Sequence, residues 1–126
     1  MAQNIDSQVD AGLTWLKSQQ NDDGGWGDTG LNYSNISTSM LVVAALHASD
    51  RAVELKDSIE RAESYISSEG GIDGLRRRYG KDKTFAVPIL ANCAMAGIVP
   101  WKEVETLPFF ESATVPSKQC KRSIGR

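Results

Sequence analysis

The sequence predicts an all-α fold in which half-apolar and almost wholly apolar helices alternate along the chain. Apolar residues recur at helical spacing on one face of the first and third segments, which is typical of half-exposed helices. The second and fourth segments are apolar on nearly every face, which is typical of buried helices. Loops rich in glycine, aspartate and asparagine separate the segments. With 126 residues, the chain has room for one domain and one modest core.

The two amphipathic helices are predicted at residues 5–20 (helix 1) and 51–68 (helix 3). Asp50 is the predicted N-cap of helix 3, and the Gly70-Gly71 pair is expected to end it, because glycine tolerates the backbone angles of a helix C-cap. Each helix has a polar face opposite its apolar stripe. We therefore expect both in an outer layer.

The two apolar helices are predicted from residue 35 or 36 to residue 48 (helix 2) and from residue 84 to residue 95 (helix 4). Ser34 or Asn35 is the predicted cap of helix 2. Pro88 lies near the first turn of helix 4, where its missing N–H is tolerated. Because these helices are apolar on most sides, we expect both in an inner layer.

Outer and inner helices therefore alternate, which is the arrangement of an α/α toroid, a ring of helical hairpins. The prediction is a toroid fragment of two outer-inner hairpins, followed by a short helical turn that Pro100 opens. Two hairpins cannot close a ring, so the lateral faces of helices 2 and 4 should be uncovered. We expect residues 1–110 to form this partial domain and residues 111–126 to form an irregular or disordered tail.

Charge and composition argue against several classes of function. The formal net charge is −2 with mixed signs, which gives no electrostatic basis for binding nucleic acid. Residues 1–10 lack the basic start and apolar core of a secretory signal. No apolar run reaches the ~20 residues of a transmembrane helix. Cys93 and Cys120 lie outside any metal-binding spacing, so we expect free thiols in a cytoplasmic protein, with no metal or cofactor.

Acidic residues cluster in the first loop, which is predicted at residues 21–34. Asp22, Asp23 and Asp28 could hold calcium, but their spacing does not match an EF-hand. Aspartate side chains also form turns by accepting hydrogen bonds from nearby backbone groups. We favour turn formation as the interpretation.

Basic residues cluster in a second loop, which is predicted at residues 72–83. The cluster consists of Arg76, Arg77, Arg78, Lys81 and Lys83. It could meet an anionic headgroup or a pyrophosphate. Alternatively, it is a solvated loop whose charges pair locally with Asp73 and Asp82.

The stretch GLTWLKSQQNDDGGW, residues 12–26, organises the chain. Its key positions are Gly12, Trp15, Leu16, Gln20, Gly24 and Trp26. The first half has helical spacing and the second half is a glycine-rich turn, so Gln20 can hydrogen-bond backbone groups freed at the helix end. Trp26 can lay its ring over that end while its indole N–H finds an acceptor. We interpret the stretch as a structural clamp that carries no chemistry by itself.

These residues resemble the QW motif of the squalene–hopene cyclase family, the triterpene cyclases built from prenyltransferase-like α/α barrels. Ala11 stands where a basic residue often precedes the first glycine of the motif. The similarity continues through GDTG, SNISTSMLVVAALHA and the segment from EGGIDGL to PWKEVETLPFF, and covers about residues 8–116. The chain resembles one end of such an enzyme.

The resemblance implies cationic cyclisation of a linear polyprenyl substrate, an isomerase reaction of triterpenoid biosynthesis. An acid protonates the substrate, and an aromatic-lined cavity stabilises the carbocations by cation–π contact. Tyr79, Phe85 and Trp101 are the aromatics that could face such a cavity, or they could pack helix against helix. The family's acid lies in a DxDD motif, which this sequence lacks. We therefore expect no catalytic residue in the chain and no activity by the chain alone.

Two other functions remain open. An incomplete ring exposes apolar faces, so the chain could be a non-catalytic helical binding module that self-associates or binds a missing cyclase domain. Some α/α-barrel polysaccharide lyases also carry a D-G-G-W-G turn. Their sites combine acidic and basic residues, whereas the acidic and basic loops here follow different hairpins. Protein prenyltransferase β-subunits bind zinc, yet His47 and Cys93 show no zinc motif. His47 is more simply a dipole partner at the end of helix 2. Peripheral contact with a membrane is compatible with the resemblance.

Overall fold

The computed structural model of the chain describes residues 2–104, apart from the side chains of residues 2–4 and 83. Within these residues the chain forms five α-helices and a 3₁₀ turn: α1 Ala2–Ser18, α2 Ile36–Ala48, α3 Lys56–Ser68, α4 Gly71–Tyr79, α5 Lys83–Met95 and the turn Trp101–Glu103. No strand occurs in this part of the chain; only an isolated bridge joins Trp26 to Asn35. The all-α prediction is confirmed, and the fold is a segment of an α/α toroid. None of the helices within residues 2–104 is long and apolar enough to cross a membrane.

Polar caps set the starts of the two apolar helices. The Asn35 side chain accepts a hydrogen bond from the Thr38 backbone N–H at 2.9 Å and so caps α2. Asp82 accepts from the Thr84 N–H at 2.9 Å and caps α5. Both side chains satisfy backbone donors that have no partner in a first helical turn. Helix 2 is therefore confirmed in its bounds and cap, and predicted helix 4 corresponds to α5.

The start of the third helix differs from the prediction. The helix begins at Lys56, and residues 51–55 form a turn in which the Leu55 N–H donates to the Arg51 carbonyl at 3.0 Å. Asp50 is not the N-cap. Instead the Ser49 hydroxyl accepts from the Arg51 N–H at 3.2 Å. Leu55 is nevertheless buried in the core, at 1% exposure.

The predicted second loop is wrong, because most of it forms the helix α4. Gly70 has φ of 102°, a conformation that turns the chain sharply after α3 and that only glycine adopts at little cost. A Cβ on Gly74 would lie 2.0 Å from the Glu69 carbonyl oxygen, so α4 can pack against the end of α3 only with glycine there. In this arrangement Leu75 is completely buried, at 0% exposure.

The core has two clusters that share α2. The first joins α1, α2, the 51–55 turn and α3; it contains Leu13, Trp26, Val42, Val43, Leu46, Leu55, Ile59 and Ala62. The second joins α2, α4 and α5; it contains Ile36, Met40, Ala44, Leu75, Ala86, Ile89, Leu90 and Cys93. Helix α2 therefore contributes opposite sides to both clusters, as expected of an inner helix.

Among residues 2–104, each apolar helix nevertheless leaves one stripe exposed. On α2 this stripe is Leu41, Ala45 and Ala48, which recur at i, i+4 and i+7. On α5 it is Phe85, Pro88, Asn92 and Met95, which recur at i, i+3, i+7 and i+10. Phe85 is 57% exposed and Met95 is 68% exposed. We call these the α2 stripe and the α5 stripe. They are the open faces that an unclosed ring predicts.

Candidate functional site

Gln20 connects three parts of the fold at the end of α1. Its Nε2 donates to the Gly24 carbonyl at 2.8 Å and to the Ser58 carbonyl of α3 at 2.9 Å. Its Oε1 accepts from Arg61 Nη1 at 3.2 Å. A primary amide supplies two donors and one acceptor in a plane, so one side chain can satisfy all three contacts. The amide thereby ties the glycine turn to α3.

Trp26 closes the same turn from the other side. Its indole Nε1–H donates at 2.7 Å to the Leu16 carbonyl, which near the end of α1 also accepts from the Gln19 N–H at 3.1 Å. The ring is only 3% exposed and belongs to the first core cluster. The backbone N–H of Trp26 donates to the Ser39 hydroxyl at 2.9 Å. Trp26 therefore joins α1 and the turn to α2.

Gly24 brings the turn against the backbone of α3. Its φ is 95°, and a Cβ at this position would lie 2.4 Å from the Arg61 carbonyl oxygen. The Arg61 guanidinium in turn donates to the carbonyls of Asn21 and Asp22 at 3.1 and 3.3 Å. Any other residue at position 24 would strain the backbone and would also displace α3.

The other motif positions lie apart from these contacts. Gly12 is exposed, and an added Cβ would meet no atom within 4 Å. Trp15 is 57% exposed on the open side of α1. Leu16 contributes its carbonyl to the Trp26 contact and packs partly into the first cluster. Within the described chain, the contacts of the motif thus concentrate at Gln20, Gly24 and Trp26.

The partners of the clamp could not be predicted from the sequence. Ser39, Ser58 and Arg61 hold the motif from α2 and α3, up to 41 residues away in the chain. Local spacing carries no signal for such contacts. Arg61 in particular lies on a helix face that reads as solvated, since it is surrounded by charged residues.

The acidic loop residues form turn contacts. Asp28 accepts from Thr38 Oγ1 at 2.6 Å and from Asn35 Nδ2 at 2.9 Å. These hydrogen bonds, with the Thr38 bond the stronger cause, lower the pKa of Asp28. Asp23 accepts from the Gly25 N–H at 3.0 Å and from Ser34 Oγ at 2.7 Å. In the described part of the chain, no group of three or more His, Cys, Asp or Glu side chains is placed to hold a metal ion.

Two of the three aromatic candidates lie together. The rings of Tyr79 and Phe85 stack with centroids 5.5 Å apart and planes at 30°. The Tyr79 hydroxyl lies 2.7 Å from Ser37 Oγ, which links α4 to α2. Trp101 lies on the 3₁₀ turn after α5 and is 60% exposed. Tyr79 is half-buried, so Phe85 and Trp101 are the rings more open to a ligand.

The basic cluster extends from the last turn of α4 into the residues after it. Arg76 Nη2 donates to the Glu103 carbonyl at 2.9 Å and to its Oε1 at 3.2 Å, so Arg76 fastens the 3₁₀ turn to α4. Arg78 lies over the Tyr79 ring at 5.7 Å, within cation–π range. Arg77 and Lys81 are exposed. Among its described side chains, the cluster therefore divides into one structural arginine, Arg76, one arginine on the Tyr79 ring, and the exposed Arg77 and Lys81.

His47 and Cys93 have environments that fit structural roles. His47 is exposed in the last turn of α2, where a basic group suits the helix dipole. Cys93 is a free, fully buried thiol whose Sγ lies 3.7 Å from the Met40 carbonyl. Burial raises the pKa of this thiol to about 11, so it is protonated at neutral pH. Cys120 and the predicted tail, residues 111–126, lie outside the described residues.

Comparison with known proteins identifies the family. The sequence profile of the Squalene-hopene cyclase N-terminal domain matches residues 2–119, which is most of the chain. No curated protein and no solved structure matches the chain. The alternation of outer and inner helices and the closed glycine turn agree with this assignment. The chain thus belongs to the squalene-hopene cyclase family, of which it carries part of the N-terminal domain.

Proposed function

We propose that the chain forms part of the wall of a polyprenyl cyclase and does not cyclise a substrate alone. The observation that carries the proposal is the pair of uncovered stripes on α2 and α5. Apolar side chains that the described helices leave exposed are expected where a helix faces an apolar ligand cavity or a missing neighbour. The family assignment favours a polyprenyl lipid as that ligand.

The aromatic residues at the edge of the α5 stripe suit this role. Phe85 presents an exposed ring, and Tyr79 supports it by stacking. A carbocation attracted to an aromatic face gains about 0.5–2 kcal/mol, most in a site without water. Apart from Asn92, whose amide donates to the Pro88 carbonyl, the remaining stripe residues are aliphatic, so their contribution would be shape and the exclusion of water. Neither requires a metal or an organic cofactor.

The acid has to come from elsewhere in the proposed enzyme. Cyclising an alkene by protonation requires a carboxylic acid held in its neutral form beside the substrate. The sequence contains no DxDD motif, and the perturbed aspartates Asp28 and Asp82 have pKa values lowered rather than raised. Both are exposed and occupied by turn or cap hydrogen bonds. Neither has the properties of a proton donor to an alkene.

Squalene turnover tests the proposal. The pure chain, incubated with squalene, is expected to give no polycyclic product by gas chromatography and mass spectrometry. Adding a cyclase fragment that carries the DxDD acid is expected to restore product. Phe85→Glu should reduce this restored turnover, whereas Val53→Glu, at an 89% exposed position away from both stripes, should not. Product formed by the chain alone would overturn the claim of inactivity.

A second candidate function is a non-catalytic module that self-assembles. It is supported by large apolar side chains that solvent reaches on several elements of the described chain, among them Ile5, Trp15, Leu31, Leu41, Val53, Phe85, Met95 and Trp101. Such surfaces favour association. We expect light scattering at micromolar concentration to give a mass above that of one chain, and a clean monomer would argue against this candidate.

The proposed location is cytoplasmic, with peripheral membrane contact in the complete enzyme. The free thiol of Cys93 supports a reducing compartment. A water-insoluble polyprenyl substrate would be delivered from a lipid surface. Recovery of the chain with membranes after mild cell lysis, and its release by salt or detergent, would measure this contact.

A further inference from the structure

The glycine turn contains a peptide bond that can react by itself, the bond between Asp23 and Gly24. In an aspartate–glycine pair, the glycine N can attack the aspartate Cγ; the carboxyl OH leaves with the N–H proton as water, and a succinimide ring forms. Glycine favours the attack because it has no side chain. Water then opens the ring at the former main-chain carbonyl and leaves isoaspartate. One water is lost and one is taken up, so the mass of the chain does not change.

In the closed turn both reacting groups are held by hydrogen bonds. The Gly24 N–H donates to the Asn21 carbonyl at 3.0 Å. Asp23 Oδ1 accepts from the Gly25 N–H at 3.0 Å and from Ser34 Oγ at 2.7 Å. The carboxylate is therefore directed at the N–H two residues on, as in an Asx turn, and away from the attacking nitrogen. Closing the succinimide ring requires these bonds to break first.

The clamp determines how often that happens. Gln20 Nε2 ties the Gly24 carbonyl to the Ser58 carbonyl of α3, and the Arg61 guanidinium holds the Asn21 carbonyl. Gly24 is buried although Asp23 is exposed. Because both ends of the turn are held from α1 and α3, freeing the reacting groups is a local opening that breaks the clamp contacts.

A second aspartate–glycine pair provides an internal comparison. The sequence contains two such pairs, and the other is Asp73-Gly74. It lies within α4, where the Gly74 N–H donates to the Gly70 carbonyl at 3.1 Å. Gly74 is buried against the end of α3. This pair is protected by helix packing, so it should not respond to changes at the clamp.

We propose that Asp23 is a modification site that converts to isoaspartate when the turn opens, and that the clamp protects it. The reaction is intramolecular, so it needs neither a ligand nor a partner. Isoaspartate adds one main-chain carbon between residues 23 and 24. The closed turn has no room for it, because even a Cβ on Gly25 would lie 2.8 Å from Ser39 Oγ and from the Tyr65 ring. A turn that has reacted therefore stays open.

Ageing of the full chain at physiological temperature and pH tests the proposal. After digestion, isoaspartate peptides separate from aspartate peptides of equal mass by chromatography, and fragmentation locates the site. The folded chain should react at Asp23 more slowly than the same chain in guanidinium chloride. Gln20→Ala should react about tenfold faster than the unmodified chain, because loss of its two hydrogen bonds raises the population of the open turn. Gln19→Ala is the control and should change nothing.

Hydrogen exchange measures the opening independently. The Trp26 N–H donates to Ser39 Oγ in the closed turn, so its exchange and the modification of Asp23 should rise by the same factor. Circular dichroism checks folding; Ser34→Ala, which releases the Asp23 side chain, serves where Gln20→Ala does not fold. Equal rates in the folded and denatured chain, equal rates in the Gln20 and Gln19 variants, or faster reaction at Asp73 than at Asp23 would overturn the proposal.

Discussion

The clamp around Gln20 and the packing around Leu75 hold the chain in different ways. At the clamp, the side chains of Gln20, Trp26 and Arg61 hydrogen-bond to backbone groups 10 to 40 residues away. Around Leu75, α2, α4 and α5 meet mainly through apolar contacts, and Ser37–Tyr79 is a rare polar link. The first region fixes the course of a turn, and the second fixes the angle between helices. Predictions about each follow from that difference.

The largest effect is expected in the packed region. Leu75→Ala would leave a cavity where a fully buried side chain now joins α4 to α2 and α5. Such truncations cost about 2–5 kcal/mol of unfolding free energy. Urea denaturation measures it. Val53→Ala, at an 89% exposed position, is the control and should change little. An equally small effect of Leu75→Ala would mean that α4 is not part of the core.

The next effect distinguishes two glycines. Gly24→Ala forces a Cβ to within 2.4 Å of the Arg61 carbonyl at a φ of 95°, whereas a Cβ on Gly80, at a φ of 60°, meets open space. The strained backbone costs about 1–3 kcal/mol in either case. Gly24→Ala should cost clearly more, because α3 must also move. Equal melting temperatures for the two variants would contradict the close approach at the clamp.

Removing the clamp amide should have a somewhat smaller effect. Gln20→Ala leaves the Gly24 and Ser58 carbonyls without their donor, at a cost of about 1–3 kcal/mol. Gln19→Ala is the matched control, because its amide donates to Ser18 Oγ at 3.4 Å and its Oε1 lies beside Gly30, so neither atom ties the turn to α3. Hydrogen exchange should report faster opening of the turn in the Gln20 variant. A loss of stability equal in the two variants would mean that the Gln20 contacts contribute nothing specific.

The polar link in the packed region should matter less. Tyr79→Phe removes the hydroxyl that meets Ser37 Oγ but keeps the ring on Phe85. We expect a loss of about 0.5–1.5 kcal/mol. Tyr33→Phe, at a 96% exposed position, is the control. A loss above that for Gln20→Ala would show that hydrogen bonding dominates both regions, which would remove the contrast between them.

The smallest effect is a dependence on pH. The hydrogen bonds from Thr38 and Asn35 lower the pKa of Asp28 in the folded state. The stabilisation is therefore complete above the unfolded pKa, about 3.9, and is lost as pH falls through the folded value. The difference in melting temperature between the unmodified chain and Asp28→Asn should shrink below about pH 4. A difference in melting temperature that grows as the pH falls would contradict the lowered pKa of Asp28.

Helix type and layer could be read from the sequence because local pattern determines them. The apolar run of α2 and the cap at Asn35 lie within one stretch, and the structure places both as expected. Uncovered lateral faces on α2 and α5 were expected from the number of hairpins, but the local pattern could not show which residues form each stripe. Exposure depends on which neighbours are present, and that is set by the number of hairpins in the ring.

The helix α4 was missed for a physical reason. Glycine at residues 70, 71 and 74 lowers the helix propensity of this segment, although its three consecutive arginines are good helix formers, so the glycines favour a loop. The available signal was the spacing of Ile72, Leu75 and Tyr79, which fits one helical face. Burial of Leu75 outweighs the weak propensity. In the same way, the charged surroundings of Arg61 concealed its role, because its partners lie in a distant segment.

Photolabelling tests the central claim, that α2 and α5 form a wall facing a polyprenyl chain. A polyprenyl analogue bearing a diazirine is bound to the chain and irradiated, and mass spectrometry of the peptides locates the label. The account predicts label on the α2 and α5 stripes, at Leu41, Phe85 or Met95, and none on the charged face of α3 around Glu60. Label on α3 instead, or spread evenly over the chain, would contradict it.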